Sequence, residues 1–169
     1  MAKRMPTLPD RLARFIAAQP LFFVATAPAG GGGHVNLSPK GMDSLRVLAP
    51  DRVAWLSVTG SGNETAAHVL DNGRMTLMWT AFAGPPLILR VYGRARVVYP
   101  GDAAWPDLAV DLVQTSCGMS IPLLDHVGER DALTQWAEAK GADGLADYWA
   151  ERNAVSLDGL ATGIAATRA

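Results

Sequence analysis

Cysteine is nearly absent from this chain. Cys117 stands alone, so no intrachain disulfide can form, and a reducing cytoplasm is the expected compartment. An excess of charge is missing too. Fifteen Lys and Arg against sixteen Asp and Glu in 169 residues give a formal net charge of −1. That balance leaves no overall field to draw nucleic acid or an anionic membrane. No apolar run reaches the length of a membrane span. Arg11 and Arg14 interrupt the N-terminal stretch where a secretory signal needs an unbroken apolar core. His34, His68 and His126 are scattered without metal-ligand spacing, so no zinc site is expected. The four glycines at 30–33 are not followed by Gly-Lys-Ser/Thr, and Ser116 lacks a Gly-x-Ser-x-Gly setting. A floppy hairpin tip is therefore expected at the glycines in preference to a phosphate loop, and the usual hydrolase signature is missing.

What is present is one domain's length of chain, 49% apolar, enough to bury a core without a metal or disulfide staple. Asp10 opens a helical pattern with Leu12, Phe15 and Ile16, ended at Pro20. Leu21–Ala27 and His34–Leu37 read as a hairpin around the glycine tip. Arg52–Val58, Met75–Phe82 and Leu87–Tyr99 read as further strands, the last with Arg90, Tyr92, Arg94 and Arg96 on one face. Thr65–Asn72 reads as a short helix with Gly73 at its C′ position. From about residue 102 helical spacing takes over, at Asp107–Gln114, Asp131–Lys140 and Leu145–Arg152, with packing on the sheet expected. A disordered tail is expected after about 160. The predicted fold class is mainly β with added helices, an antiparallel barrel in one domain over 1–169.

Two segments carry the candidate chemistry. Ser38-Pro39-Lys40-Gly41 and Thr59-Gly60-Ser61-Gly62-Asn63-Glu64-Thr65 each read as a turn ending an apolar run. A helix beginning near Ser61 offers free N–H groups to an anion, with Lys40 and Arg90 as sources of charge. The same residues also fit an ordinary capping box, Ser61 with Glu64. Pattern alone leaves both readings open. Cys117 is either a small packed residue or a reactive thiol.

A family resemblance adds to this reading. Phe22-Phe23-Val24-Ala25-Thr26, Val35 to Gly41, Thr59 to Thr65 and Leu89-Arg90-Val91-Tyr92-Gly93-Arg94-Ala95 resemble the pyridoxamine 5′-phosphate oxidase-related family of flavoproteins. Gln114 to Gly118 with Pro122, and Asn153 with Ser156 to Gly159, resemble an uncharacterised branch of it. The resemblance implies an FMN-binding split antiparallel β-barrel, a homodimer with flavin at the subunit interface, and a small-molecule substrate or electron donor. It implies a cofactor site at Asn36, Ser38, Pro39, Lys40, Thr59, Ser61, Asn63, Thr65 and Arg90, and assigns no catalytic residue. The expected activity is that of an FMN-dependent oxidoreductase. The alternatives are a flavin carrier or redox sensor without turnover, or a relative that uses a deazaflavin or haem. Two departures stand out. Glu64-Thr65 replaces the oxidase's Arg-Lys pair at the phosphate, and its C-terminal Trp- and Arg-containing segment has no counterpart in 153–169.

Overall fold

Alternating burial builds the sheet. Phe22, Val24 and Thr26 are buried while Phe23 and Ala25 are half-buried, the period-two pattern of a strand with one face to the core. The computed structural model describes residues 2–99 and 108–164. In order they form β1 (Lys3–Met5), α1 (Asp10–Ala17), β2 (Phe22–Thr26), β3 (Asn36–Lys40), β4 (Leu45–Ala49) and β5 (Arg52–Trp55). Then come α2 (Glu64–Asn72), β6 (Arg74–Thr80), β7 (Ile88–Ala95), β8 (Leu108–Ser116), α3 (Ala132–Tyr148) and a π-helical turn (Trp149–Asn153). All strand pairings are antiparallel, in the order β3-β2-β6-β7-β8-β5-β4, with β1 also on β8.

The sheet curls. Four strand steps separate β2 from β5 along the ladder, about 19 Å if flat, yet the rings of Phe22 and Trp55 are 6.2 Å apart. Phe22 also stacks on Trp79 at 6.0 Å. Inside the curl lie Val24, Val53, Leu77, Leu89, Val91 and Val113, each with no exposed surface. Leu12 and Ile16 of α1, also buried, pack against this cluster, so α1 covers the core as its spacing predicts. The mainly-β antiparallel fold class is borne out.

Several local expectations need correction. Asp107 lies outside the described residues, but Leu108–Ser116 is a strand, not a helix. Leu108 and Leu112 have helical spacing, yet Val110, Val113 and Thr115 suit a strand, and the slot between β7 and β5 offers a full ladder. The helical part therefore begins at Ala132. The two predicted helices run together as α3 across a kink at Gly141, whose φ of 66° and ψ of 176° are not helical. Nor does α3 pack on the sheet. None of its residues is buried, because Trp136 and Tyr148 pack on each other at 4.9 Å. The predicted strand Arg52–Val58 is present as β5 over Arg52–Trp55, while β1 and β4 have no counterpart in the sequence reading. After Leu160 the chain is still tied down: Ala161 bridges Val155, and Thr162 is fully buried. The rest of the expected tail, 165–169, lies outside the described residues.

Candidate functional site

Ser38, Pro39 and Lys40 belong to strand β3 and do not form the expected turn. β3 ends the strand order, and an edge strand tolerates Pro39 because one side of its backbone needs no partner. Pairing opposite Thr26, Val24 and Phe22 puts Asn36, Ser38 and Lys40 on the core-side face, half-buried, while Leu37 and Pro39 are exposed.

These side chains meet α2. Asn36 Nδ2 donates to Thr65 Oγ1 at 3.0 Å and to Thr26 Oγ1 at 3.4 Å, and Ser38 Oγ donates to Asn36 Oδ1 at 2.8 Å. Thr26 Oγ1 lies 3.1 Å from Nδ1 of buried His68, whose Nε2 has no partner among the described residues. A polar row thus runs from Ser38 at the sheet edge through Asn36 to Thr65, with His68 behind it. Pattern reading missed Thr26 and His68, since a histidine inside a short helix carries no signal of its depth.

Thr59–Asn63 is irregular, runs into α2 at Glu64, and is held from outside. Trp149 Nε1 donates to Thr59 Oγ1 at 2.8 Å, and Asn153 Nδ2, in a residue only 2% exposed, donates to the Gly60 carbonyl at 3.1 Å. Tyr148 reaches the same carbonyl at 3.4 Å. Further along, Asp158 accepts His34 N–H and faces His34 Nδ1, both at 2.7 Å. These hydrogen bonds from His34 hold the Asp158 carboxyl below the usual carboxylate range. The C-terminal segment therefore clasps both the turn and the approach to β3. A cleft of about 280 Å³ opens between them, lined by His34, Asn36, Glu64 and Asp158 among others.

Charge is arranged differently from the expectation. α2 begins at Glu64, its N-cap Asn63 makes no side-chain cap hydrogen bond, and the predicted Ser61–Glu64 capping box is not formed. The predicted Gly73 ending is present, with φ 71°. The Glu64 carboxylate folds back instead: a Cβ on Gly62 would lie 2.6 and 2.7 Å from its two oxygens. Lys40 Nζ sits 5.7 Å over the Trp55 ring. Burial lowers its pKa, with Glu64 partly opposing the shift. Arg90 pairs through Met78 and Phe23 with Pro39, which places it three strands away on the sheet's outer face, where Nη1 donates to Ser116 at 3.1 Å. One protomer thus unites Asn36, Ser38 and Thr65 directly, with Lys40 and the Thr59–Asn63 turn alongside, but not Arg90.

A flavin mononucleotide would bring a ring with polar edges, a hydroxylated chain and a phosphate. The amide and hydroxyl groups of Asn36, Ser38 and Thr65 fit the polar edges and hydroxyls. The turn does not fit the phosphate, because an acid lies there, Arg90 is on the other face of the sheet, and Lys40 lies over Trp55 with that same acid acting on it. Among the described residues no three His, Cys, Asp or Glu side chains converge as a metal would require, and no helix is long and apolar enough to cross a membrane. Cys117 is exposed just beyond β8, and the Met119 backbone N–H lowers its thiol pKa.

Comparison with known proteins adds three findings. Residues 8–143 match the family model described as pyridoxamine 5′-phosphate oxidase. The pyridoxamine 5′-phosphate oxidase family protein ustO of Aspergillus flavus is 35% identical over 187 aligned positions, covering 91% of this chain and 75% of that protein. Among solved structures, an FAD-binding protein from Mycobacterium smegmatis aligns at 11% identity with a TM-score of 0.47, over 68% of this chain and 97% of that one. HupZ of Group A Streptococcus aligns at 20% identity and 0.45, over 62% and 85%.

Proposed function

Because the chain belongs to the pyridoxamine 5′-phosphate oxidase family, we propose that it is a flavin-dependent oxidoreductase acting on a small molecule. FMN is the flavin the family resemblance implies. The observation that carries the reading is the polar row of Asn36, Ser38 and Thr65, built where β3 meets the start of α2. When bound, a flavin supplies hydride or electron transfer, which no acid–base pair of this chain has to replace. The chain's own part is to bind and orient. Asn36 and Ser38 offer an amide and a hydroxyl to ring or chain oxygens, Lys40 offers a cation along β3, and the clasp at Trp149 and Asn153 fixes the turn.

The proposed working form is a cytoplasmic homodimer. Phe23, Met78, Arg90 and Tyr92 lie half-buried on the outer sheet face, which α3 leaves uncovered. A second subunit laid on that face would cover these half-buried residues. A visible spectrum of the purified protein, followed by thermal unfolding with added FMN, tests the proposal. Flavin absorbance, or a rise in Tm of the size mass action requires, is expected. A colourless protein whose Tm ignores added flavin refutes it. If flavin binds but no donor reduces it, the carrier reading replaces the enzyme one, with exposed Cys117 as its redox-responsive group.

A further inference from the structure

The family's cation position at the turn holds Glu64, which is half-buried. Its carboxylate lies against Gly62 at the N-terminal end of α2, close enough that no side chain could replace that glycine without moving the acid. The same carboxylate lines the cleft shared with His34, Asn36 and Asp158. Little positive charge is free to offset it. Lys40 lies over Trp55 with Glu64 already acting on it, Arg90 faces the opposite side of the sheet on Ser116, and His34 is held by Asp158. The start of α2 attracts negative charge through its free N–H groups and dipole, and here the chain supplies that charge itself.

We propose that Glu64 decides which flavin this chain takes. Its carboxylate lies at the turn to which the family resemblance assigns the phosphate of FMN, so the phosphate contributes little to binding, and riboflavin is accepted about as well as FMN. This rests on the flavin reading above and gives it a ligand preference. Lys40 and His34 are the basic groups on the neighbouring elements, and Asp158 and Glu64 the acidic ones. Replacing Glu64 by Gln removes the one negative charge at the turn while keeping its size and hydrogen-bonding capacity.

The test compares FMN with riboflavin on the wild-type protein and on Glu64→Gln, by quenching of flavin fluorescence at low salt. For the wild type, the two dissociation constants should agree within about threefold, as expected when a phosphate gains no charge-assisted hydrogen bond. Glu64→Gln should tighten FMN by about tenfold or more while riboflavin stays within about twofold, since only the phosphate meets the changed charge. A wild type that prefers FMN by about a hundredfold, or a Glu64→Gln protein with an unchanged FMN-to-riboflavin ratio, overturns the assignment. Inorganic phosphate gives a second arm that needs no flavin. Followed by the amide shifts of Glu64, Thr65 and Ala66, it should bind Glu64→Gln about tenfold more tightly than wild type, and equal binding overturns the assignment. If the phosphate arm behaves as expected while neither protein binds any flavin, Glu64 excludes anions from the start of α2, but the flavin reading and the ligand preference built on it both fail.

Discussion

Asn153→Ala measures how far the candidate site depends on the C-terminal clasp. Asn153 is 2% exposed, and its amide donates to the Gly60 carbonyl at 3.1 Å. Gly60 itself is exposed, so water can satisfy the abandoned carbonyl, and no buried acceptor is orphaned. The loss is then one net hydrogen bond plus the packing of a small buried side chain, about 1–2 kcal/mol. At about 2–4 °C per kcal/mol for a domain of this size, Tm should fall by roughly 2–8 °C. The effect should also be local. Amide hydrogen exchange should accelerate across Thr59–Asn63, whose irregular backbone has few ties of its own, and stay unchanged in β7 at the centre of the sheet. An unaltered Tm with unaltered exchange in the turn would refute the claim that the C-terminal segment shapes it. Uniform acceleration throughout the sheet would show instead that Asn153 supports the whole fold.

Other expectations follow from single contacts. Lys40→Ala should weaken FMN and riboflavin binding equally, by about 1.5–3 kcal/mol, the usual value of a hydrogen bond from a charged group, here to a ring or chain oxygen, and calorimetric titration would expose an unchanged affinity. Gly93→Ala should prevent normal folding or lower Tm sharply, because the added Cβ would lie 2.0 Å from the Ala109 carbonyl oxygen beside the β7–β8 irregularity; circular dichroism at rising temperature reads this directly. Asp158 has its pKa depressed in the folded state by His34, so its stabilisation is present above its unfolded pKa of about 3.9 and lost as pH falls through the lower folded value. Denaturant midpoints of the wild type should therefore fall more steeply than those of Asp158→Asn below about pH 4, and parallel curves would contradict the pairing. Cys117, exposed and with its pKa lowered by a backbone N–H, should be alkylated by iodoacetamide faster than free cysteine at neutral pH.

Local pattern made much of this molecule legible. The β2–β3 hairpin, α2 with its left-handed Gly73 and the core-facing residues of β6 all follow from alternation, helical spacing and a glycine stop. β8 was not legible, because a short apolar run carries no secure period, and the ladder available between β7 and β5 decided it. Arg90 and Lys40 both read as cations near one turn, yet strand register puts them on opposite faces, and register is a property of pairing that single segments do not display. The clasp was half legible. Asn153, Ser156 and Asp158 stood out as part of a motif, but their partners Gly60, Leu160 and His34 include two that lie far away in the chain and are joined to them only by tertiary contact.

Sedimentation velocity recorded at the flavin's visible absorbance tests the central claim most directly, because it reads cofactor and assembly together. With FMN or riboflavin added, the flavin signal should travel with a species of twice the 17.9 kDa chain mass, at one flavin per chain. Flavin left unsedimented beside the protein, or carried by a monomer, would contradict a flavin site completed at a subunit interface.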